Sequence, residues 1–411
     1  MKTRIIFSLS LVALLVLAVC GGEALAATLK VPKDFPTIQA AISAANPGDK
    51  IEVKKGLYIE DLTILTDNIE LKGEGCKSII EGFAVSGGPF PLAVPNIDIK
   101  GNGIRITQFT IRSPDLTLPN TYSSGMVLTG TNIEIDHNCF EAGTGDGSQA
   151  IQTWAGNNAP AGLRDISGLR IHHNNFTHRG PATLFGVVDA YEGIFVNGQS
   201  DPVDPSNPVV INHNEFSGDL WRAIAVERSY TEISLNKIST DYLGPIAVSS
   251  RAIELRPDFL AGSTSNHLVS YNKVEDKGLS VFNWGIRARG DLSGTGYPPG
   301  PVLDYVVEDN DVKGTTIGIE AVGNSSLTSQ VVEKNKVEDC GDGIYVEDYT
   351  TVEGNHVKGS VNDGLRVANN NNVVKNHIEN SGGFDLQING FGNIFDKNKF
   401  STCNTTGDPC P

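Results

Sequence analysis

From Ile133 onward the apolar positions follow one recurring phrase: an apolar residue, a spacer of two or three, then Asn, any residue, and Val, Ile or Phe. Its copies carry Asn138, Asn174, Asn214, Asn236, Asn272, Asn310, Asn335, Asn355, Asn376 and Asn398, at intervals from 20 to 40 residues. The short intervals give the bare unit, and the long ones read as the same unit with insertions. Between successive asparagines lies a second phrase, Gly or Ala, then Ile or Leu, a variable residue and another small or apolar one, as in Gly193-Ile194-Phe195-Val196 and Gly343-Ile344-Tyr345-Val346. Both phrases alternate with period two, so each unit holds two or three short strands and leaves no room for a helix.

Self-similarity at this period is the mark of a solenoid. A leucine-rich repeat is the competing reading, but the inward positions are mostly Ile and Val, which suit a pleated strand, and the rest of each unit is a further strand. The predicted fold is all-β: a single-stranded right-handed parallel β-helix of about a dozen coils. Equivalent strands of successive coils then lie about 4.8 Å apart and like side chains stack in columns. The recurrent Asn belongs at a tight bend, where it tolerates left-handed dihedrals and its amide bonds to the next Asn. Thr37 to Ala45, with Ile38, Ala41, Ile42 and Ala45 at helical spacing, predicts a short amphipathic helix plugging the first coil.

Residues 1–26 read as a secretory signal peptide: Lys2 and Arg4, an apolar run from Ile5 to Val19, and the small-x-small site Ala24-Leu25-Ala26. The β-helix is expected over residues 27–400 with a tail over 401–411. The protein is therefore expected to be secreted or periplasmic, with no membrane span. With 48 acidic and 32 basic residues the formal charge is −16, which disfavours nucleic acid and requires a local basic cluster for any anionic ligand. Cys403 and Cys410 bracket a short tail that a disulfide can close in an oxidising compartment, whereas Cys76, Cys139 and Cys340 sit in strand-like segments and read as buried thiols.

Pro36-Thr37-Ile38-Gln39-Ala40-Ala41-Ile42, Pro47-Gly48-Asp49-Lys50-Ile51-Glu52-Val53 and Gly56-Leu57-Tyr58-Ile59-Glu60 resemble the opening of pectin-lyase-like β-helix proteins, especially the NosD-like and the carbohydrate-binding and sugar-hydrolase groups. The resemblance implies the fold over about residues 28 to 400, and leaves activity open among lyases, hydrolases, esterases, epimerases and non-enzymes. No Asp-Pro-His, Gly-His-Gly or Asp-Phe-Ile-Phe-Gly signature is present, which disfavours epimerase, polygalacturonase and pectin methylesterase chemistry.

Extra residues at Ala155–Ser167, Asn197–Pro208, Pro257–Asn266, Gly290–Val302 and Gly323–Ser329 should leave from one corner and pile into a wall beside one sheet. Outward columns of that sheet would display Glu254, Arg287 and Glu320 beside Glu227, Arg256 and Arg289, with Trp154 at one end. One reading pairs these charges across coils as structure, each pair contributing some tenths of a kcal/mol. The other makes the face a groove for an extended acidic polysaccharide, with Trp154, Arg287 and Glu320 binding it. Cleavage would then use Arg256 and Arg289 as a lyase pair, or Glu227 and Glu254 as a hydrolase pair with backbones about 8 Å apart. Whether the protein is an enzyme stays open. The alternative is a non-catalytic envelope accessory protein of NosD-like type, docking a protein or handling metal. His137, His173 and His213 should stack at one corner as a polar edge, a poor geometry for a shared metal. No metal site is assigned, but Asp339, Asp342, Glu347 and Asp348 are the oxygen donors that calcium would take.

Overall fold

The alternating phrases become strands in a computed structural model that describes residues 26–83, 94–113, 123–141, 145–146, 148–153, 165–177, 182–184, 187–188, 191–197, 204–218, 220–240, 250–257, 263–278, 282–290, 300–322 and 329–411. Along the winding the strands fall in the order A, B, C into three long parallel sheets, with the end coils incomplete. Sheet A has 14 strands, from Thr28–Val31 to Ile394–Asp396; sheet B has 12, from Gly56–Ile59 to His377–Glu379; sheet C has 13, from Leu62–Ile64 to Cys403–Thr405. The chain is a right-handed parallel β-helix. A separate three-stranded sheet joins Gly145–Asp146, Ala182–Leu184 and Val187–Val188.

Inside, columns of Ile, Val and Leu form a continuous core, and Phe140, Phe176 and Phe216 stack with ring centres 4.7 and 4.5 Å apart. The predicted helix is present as Ile38–Ala44. Thr37 caps it by accepting from the Ala40 amide, and Ile38, Ala41 and Ile42 are buried against the first coil. The Glu60 carboxylate accepts from the Ile38 and Gln39 amides, satisfying two donors that the helix itself leaves open. Among the described residues no helix is long and apolar enough to cross a membrane. Residues 1–25, and with them most of the signal-peptide segment, lie outside the described residues.

At the corner between sheets A and B the asparagines form the expected ladder. In each of the ten, the side-chain amide donates to a core carbonyl one coil back at 2.8–2.9 Å, as in Asn272 to Ile233. The first nine also give both backbone and side-chain N–H groups to the Oδ1 of the next rung, as Asn236 does to Asn272 at 3.0 Å. One expectation is corrected. The left-handed residue is the one before each rung, from His137 (φ 55°) to Lys397 (φ 55°), and not the Asn. That bend turns the preceding side chain outward and lets the Asn point in. A second, shorter ladder runs Asn371–Asn393–Asp408 at the corner between sheets C and A.

The cysteines also differ from expectation. Cys403–Cys410 is a disulfide as anticipated and Cys340 is a buried free thiol, but Cys76 and Cys139 are joined. The sequence separation of 63 between Cys76 and Cys139 hid the pairing, because only the winding brings the two segments together. Closing so long a loop restricts the unfolded chain by roughly 4 kcal/mol on a chain-entropy argument.

Replacing mid-ladder Asn272 by Ala should cost about 2–4 kcal/mol in denaturant unfolding, because buried N–H and C=O groups lose their partners. Asn398→Ala, at the last and half-buried rung, should cost measurably less.

Candidate functional site

Sheet C carries the side chains of interest. The residue after each core Ile forms an in-register column of Gln152, Phe195, Ala225, Glu254, Arg287, Glu320, Tyr345 and Arg366. Glu227, Arg256, Arg289, Val322 and Glu347 follow two residues on. A further column was not anticipated: Gln149, Glu192, Arg222, Arg251, Trp284, Ile317 and Asp342. Strict alternation counted back from the Ile places these residues inward. They face out because the small residue just before the Ile also faces the core: a Cβ on Gly193, Gly285 or Gly318 would lie within 2.7 Å of Phe216, Val312 or Val337. Trp154 and most of the five insertions lie outside the described residues, so the wall expected from them does too; the described flanks of each insertion do meet at the corner between sheets C and A.

The middle coils hold a buried ionic network rather than an open row of charges. Glu254 is 2% exposed and lies 2.9 Å from Arg251, 3.3 Å from Arg287 and 3.5 Å from Arg222. Glu320 takes Arg287 at 2.7 Å and Arg289 at 3.0 Å, Arg256 lies 3.3 Å from the buried Glu227, and Arg222 pairs with Glu192. The guanidinium of Arg222 sits 3.9 Å from the Trp221 ring centre, and those of Arg287 and Arg251 lie 4.3 and 5.1 Å from that of Trp284. Burial works against the ionised form of Glu254, but Arg251, Arg256, Arg222 and Arg287 together outweigh it and hold the carboxyl below its ordinary pKa. Arg251 shifts down to about 10, chiefly through burial, with the neighbouring arginines adding to the effect against the opposing pull of Glu254.

Solvent reaches the flanks. Arg289 is 29% exposed, and Trp284 is half-buried. Farther along, Tyr345 donates to Glu347 at 3.1 Å, and Arg366 lies over the Tyr345 ring while contacting Asp342 at 3.3 Å. Burial, with Glu347 beside it, pushes the Tyr345 phenol up to about 12.

The anticipated histidine stack is present. His137, His173 and His213 lie parallel with ring centres 5.1 and 4.8 Å apart. His172 brings Nδ1 to within 3.0 Å of His173 Nδ1 and bonds Glu134 through Nε2, while His137 bonds Asp136. Burial works to raise the Asp136 pKa, but bonds from Arg105, His137 and Thr107 carry it down to about 2. Among the described residues no three His, Cys, Asp or Glu side chains are arranged to hold a metal. The four acids considered for calcium do not converge: Asp339 pairs with Lys313, Asp342 with Arg366, Glu347 accepts from Tyr345, and Asp348 accepts from Asn369.

Neither a family model nor a curated protein sequence matches the chain. Solved structures do. The catalytic unit of a thermostable GH87 alpha-1,3-glucanase from Streptomyces thermodiastaticus is 12% identical, with 89% of this chain and 66% of that unit covered at a TM-score of 0.51. What is shared is the parallel β-helix. The A-module of a mannuronan C-5 epimerase from Azotobacter vinelandii is also 12% identical, with 91% of this chain and 92% of the module covered and a TM-score of 0.41. An alginate lyase from a Paenibacillus species is 13% identical, covering 92% of this chain and 99% of that one at 0.32.

Because Glu254 is ionised among arginines, Glu254→Ala should strand buried cations and cost about 3–5 kcal/mol in unfolding at neutral pH. A carboxylate with a depressed folded pKa stabilises above its unfolded value of 4.5 and loses that contribution as pH falls through the folded pKa. The wild type's advantage over the variant should therefore shrink in acid unfolding below about pH 4.5. His173 is lowered by burial and then by His213, His172 and His137, so its ring protons in NMR should titrate below the usual 6.5.

Proposed function

We propose that the protein binds an extended polysaccharide along the outward face of sheet C, an acidic polymer being favoured. The observation that carries this reading is the set of half-exposed groups on one face, Trp284 and Arg289 on one coil, Tyr345 two coils on and Arg366 on the coil after it, the first two braced by the ionic network beside them. Aromatic faces suit sugar rings, and guanidinium forks suit carboxylates. A polymer lying across the strands would meet one coil about every 4.8 Å, which sets Tyr345 about 9.6 Å from the Trp284 coil and Arg366 about 4.8 Å further on. The glucanase that shares this fold acts, by its name, on a polysaccharide, which agrees with the reading.

Binding is better supported than cleavage. A hydrolase pairing Glu227 with Glu254 needs one carboxyl with a raised pKa to act as acid, whereas the arginines around Glu254 keep it ionised. A lyase using Arg256 and Arg289 needs a base; Arg251 is the arginine pushed down to about 10, yet at neutral pH it remains protonated. Arg287 and Glu320, bonded to each other and to neighbours, act in this reading as the rigid support of Trp284 and Arg289.

The test is a panel of acidic and neutral polysaccharides followed by calorimetry, by absorbance of unsaturated products and by release of reducing ends. Binding to an acidic polymer should weaken at least about tenfold in Trp284→Ala and in Arg289→Ala, a loss of about 1.4 kcal/mol each. It should also weaken with added salt. Full affinity in both variants, or binding of no polymer, refutes the proposal.

A further inference from the structure

At the corner between sheets A and B, three coils place a histidine directly after the last outward position of sheet A. Asp136, His172 and Asn212 are in-register partners on successive coils, and His137, His173 and His213 follow them in left-handed bends. Consecutive side chains of a regular strand face opposite ways. The bend at His173 (φ 55°) turns its ring outward as well, so His172 and His173 stand side by side on the outside of the wall. On the first coil this arrangement brings His137 Nδ1 to 2.7 Å from the Asp136 carboxylate. On the second, the same nitrogen meets another ring: His173 Nδ1 lies 3.0 Å from His172 Nδ1.

Two distances fix how these rings meet. Their centres are 5.3 Å apart with planes at 87°, and the 3.0 Å gap between the nitrogens plus one ring radius at each end accounts for that whole separation. The two nitrogens therefore lie on the line between the ring centres, and their in-plane lone-pair directions point head-on. Glu134 accepts from His172 Nε2 at 2.9 Å, which places the proton of that ring on Nε2 and leaves its Nδ1 lone pair to accept from His173 Nδ1–H. Burial, with His213, His172 and His137 around it, holds His173 below its ordinary pKa, so its ring is uncharged at neutral pH. The parallel rings of His137 and His213, centred 5.1 and 4.8 Å away, flank its faces and leave its edge toward His172. Two neutral imidazole nitrogens aimed at each other are the donor set of a linear, two-coordinate ion, the geometry that the monovalent ions with a filled d shell, Cu(I) and Ag(I), adopt. A zinc ion takes four ligands, and among the described residues no third His, Cys, Asp or Glu converges on the pair. Arg105, bonded to Asp136 and 3.6 Å from Glu134, further disfavours a second positive charge there.

We propose that His172 and His173 form a two-nitrogen pincer for one monovalent ion of the Cu(I) or Ag(I) type, bound through Nδ1 of each ring. The ion takes the place of the shared proton: His173 releases its Nδ1 proton to solvent and takes one at Nε2, so its ring stays neutral and the complex carries only the charge of the ion. Nitrogen–metal bonds of about 2 Å need about 4 Å between the nitrogens, so the two rings part by about 1 Å. Glu134 stands behind His172 as the carboxylate that fixes the tautomer of a ligating imidazole and raises its basicity. Elsewhere His356 and His377 stack with centres 5.0 Å apart and planes at 7°, turning faces rather than nitrogens to each other, and they make no such pincer. The site is independent of any glycan on sheet C.

The test is metal titration of the full protein carrying Cys340→Ala, so that the free thiol does not compete. Cu(I) is supplied anaerobically with excess reductant against a chromophoric Cu(I) chelator, and Ag(I) in chloride-free buffer. One ion per chain is expected, with X-ray absorption showing two nitrogen neighbours. Affinity should fall at least about tenfold in His172→Ala and in His173→Ala, and hold in His356→Ala. Both pincer residues lie on the outside of the wall, and unchanged circular dichroism verifies that the variants fold; either one alone gives the contrast. Uptake that survives both substitutions, an absorption spectrum with four neighbours, or no uptake overturns the proposal.

Discussion

The side chains of the three long sheets are placed by one constraint: a parallel strand that hydrogen-bonds to its own equivalent one coil away puts each residue over its counterpart. Apolar residues then stack on apolar residues, and the core needs no large elements to close it. The same constraint sets asparagine over asparagine, histidine over histidine and, on sheet C, arginine beside glutamate. Stacking like on like is benign for neutral groups and costly for charges, which is why alternation of sign along the Glu254–Arg287–Glu320 column matters more than the number of charges.

Burial changes what such a column is worth. On an open face, cross-coil pairs would be screened and weak; enclosed, each guanidinium and carboxylate has lost most of its hydration and depends on its partners. The outcome is a rigid polar plate under Trp284 and Arg289, with aromatic rings laid against the guanidiniums. Rigidity is what a binding surface for a repeating polymer benefits from, since less freedom is lost on contact.

Much of this was legible in the chain. The Asn-x-Val phrase gave the winding, and the residue after each Ile gave the Glu254, Arg287, Glu320 and Tyr345 column in its true register. Three things were not legible, each for a physical reason. Arg222, Arg251 and Trp284 were missed because a Gly or Ala slips inward just before the Ile and breaks the period of two. Cys76 and Cys139 are brought together only by the coil geometry. Burial of Glu254 and Arg256 could not be read at all, because alternation reports which side of a sheet a residue occupies and not what lies over that side.

The asparagine ladder has a direction. Each of the first nine rungs gives its backbone N–H and one side-chain N–H toward the C-terminal end and returns the other side-chain N–H to the preceding coil, and each rung receives at its oxygen from the N-terminal side, from Phe109 donating to Asn138 through to Asn398. Ten amide dipoles therefore point the same way along the axis, each polarising the next. The stack behaves less like a set of separate clasps than like a single oriented filament, loosest at its C-terminal tip, where Asn398 is half-buried.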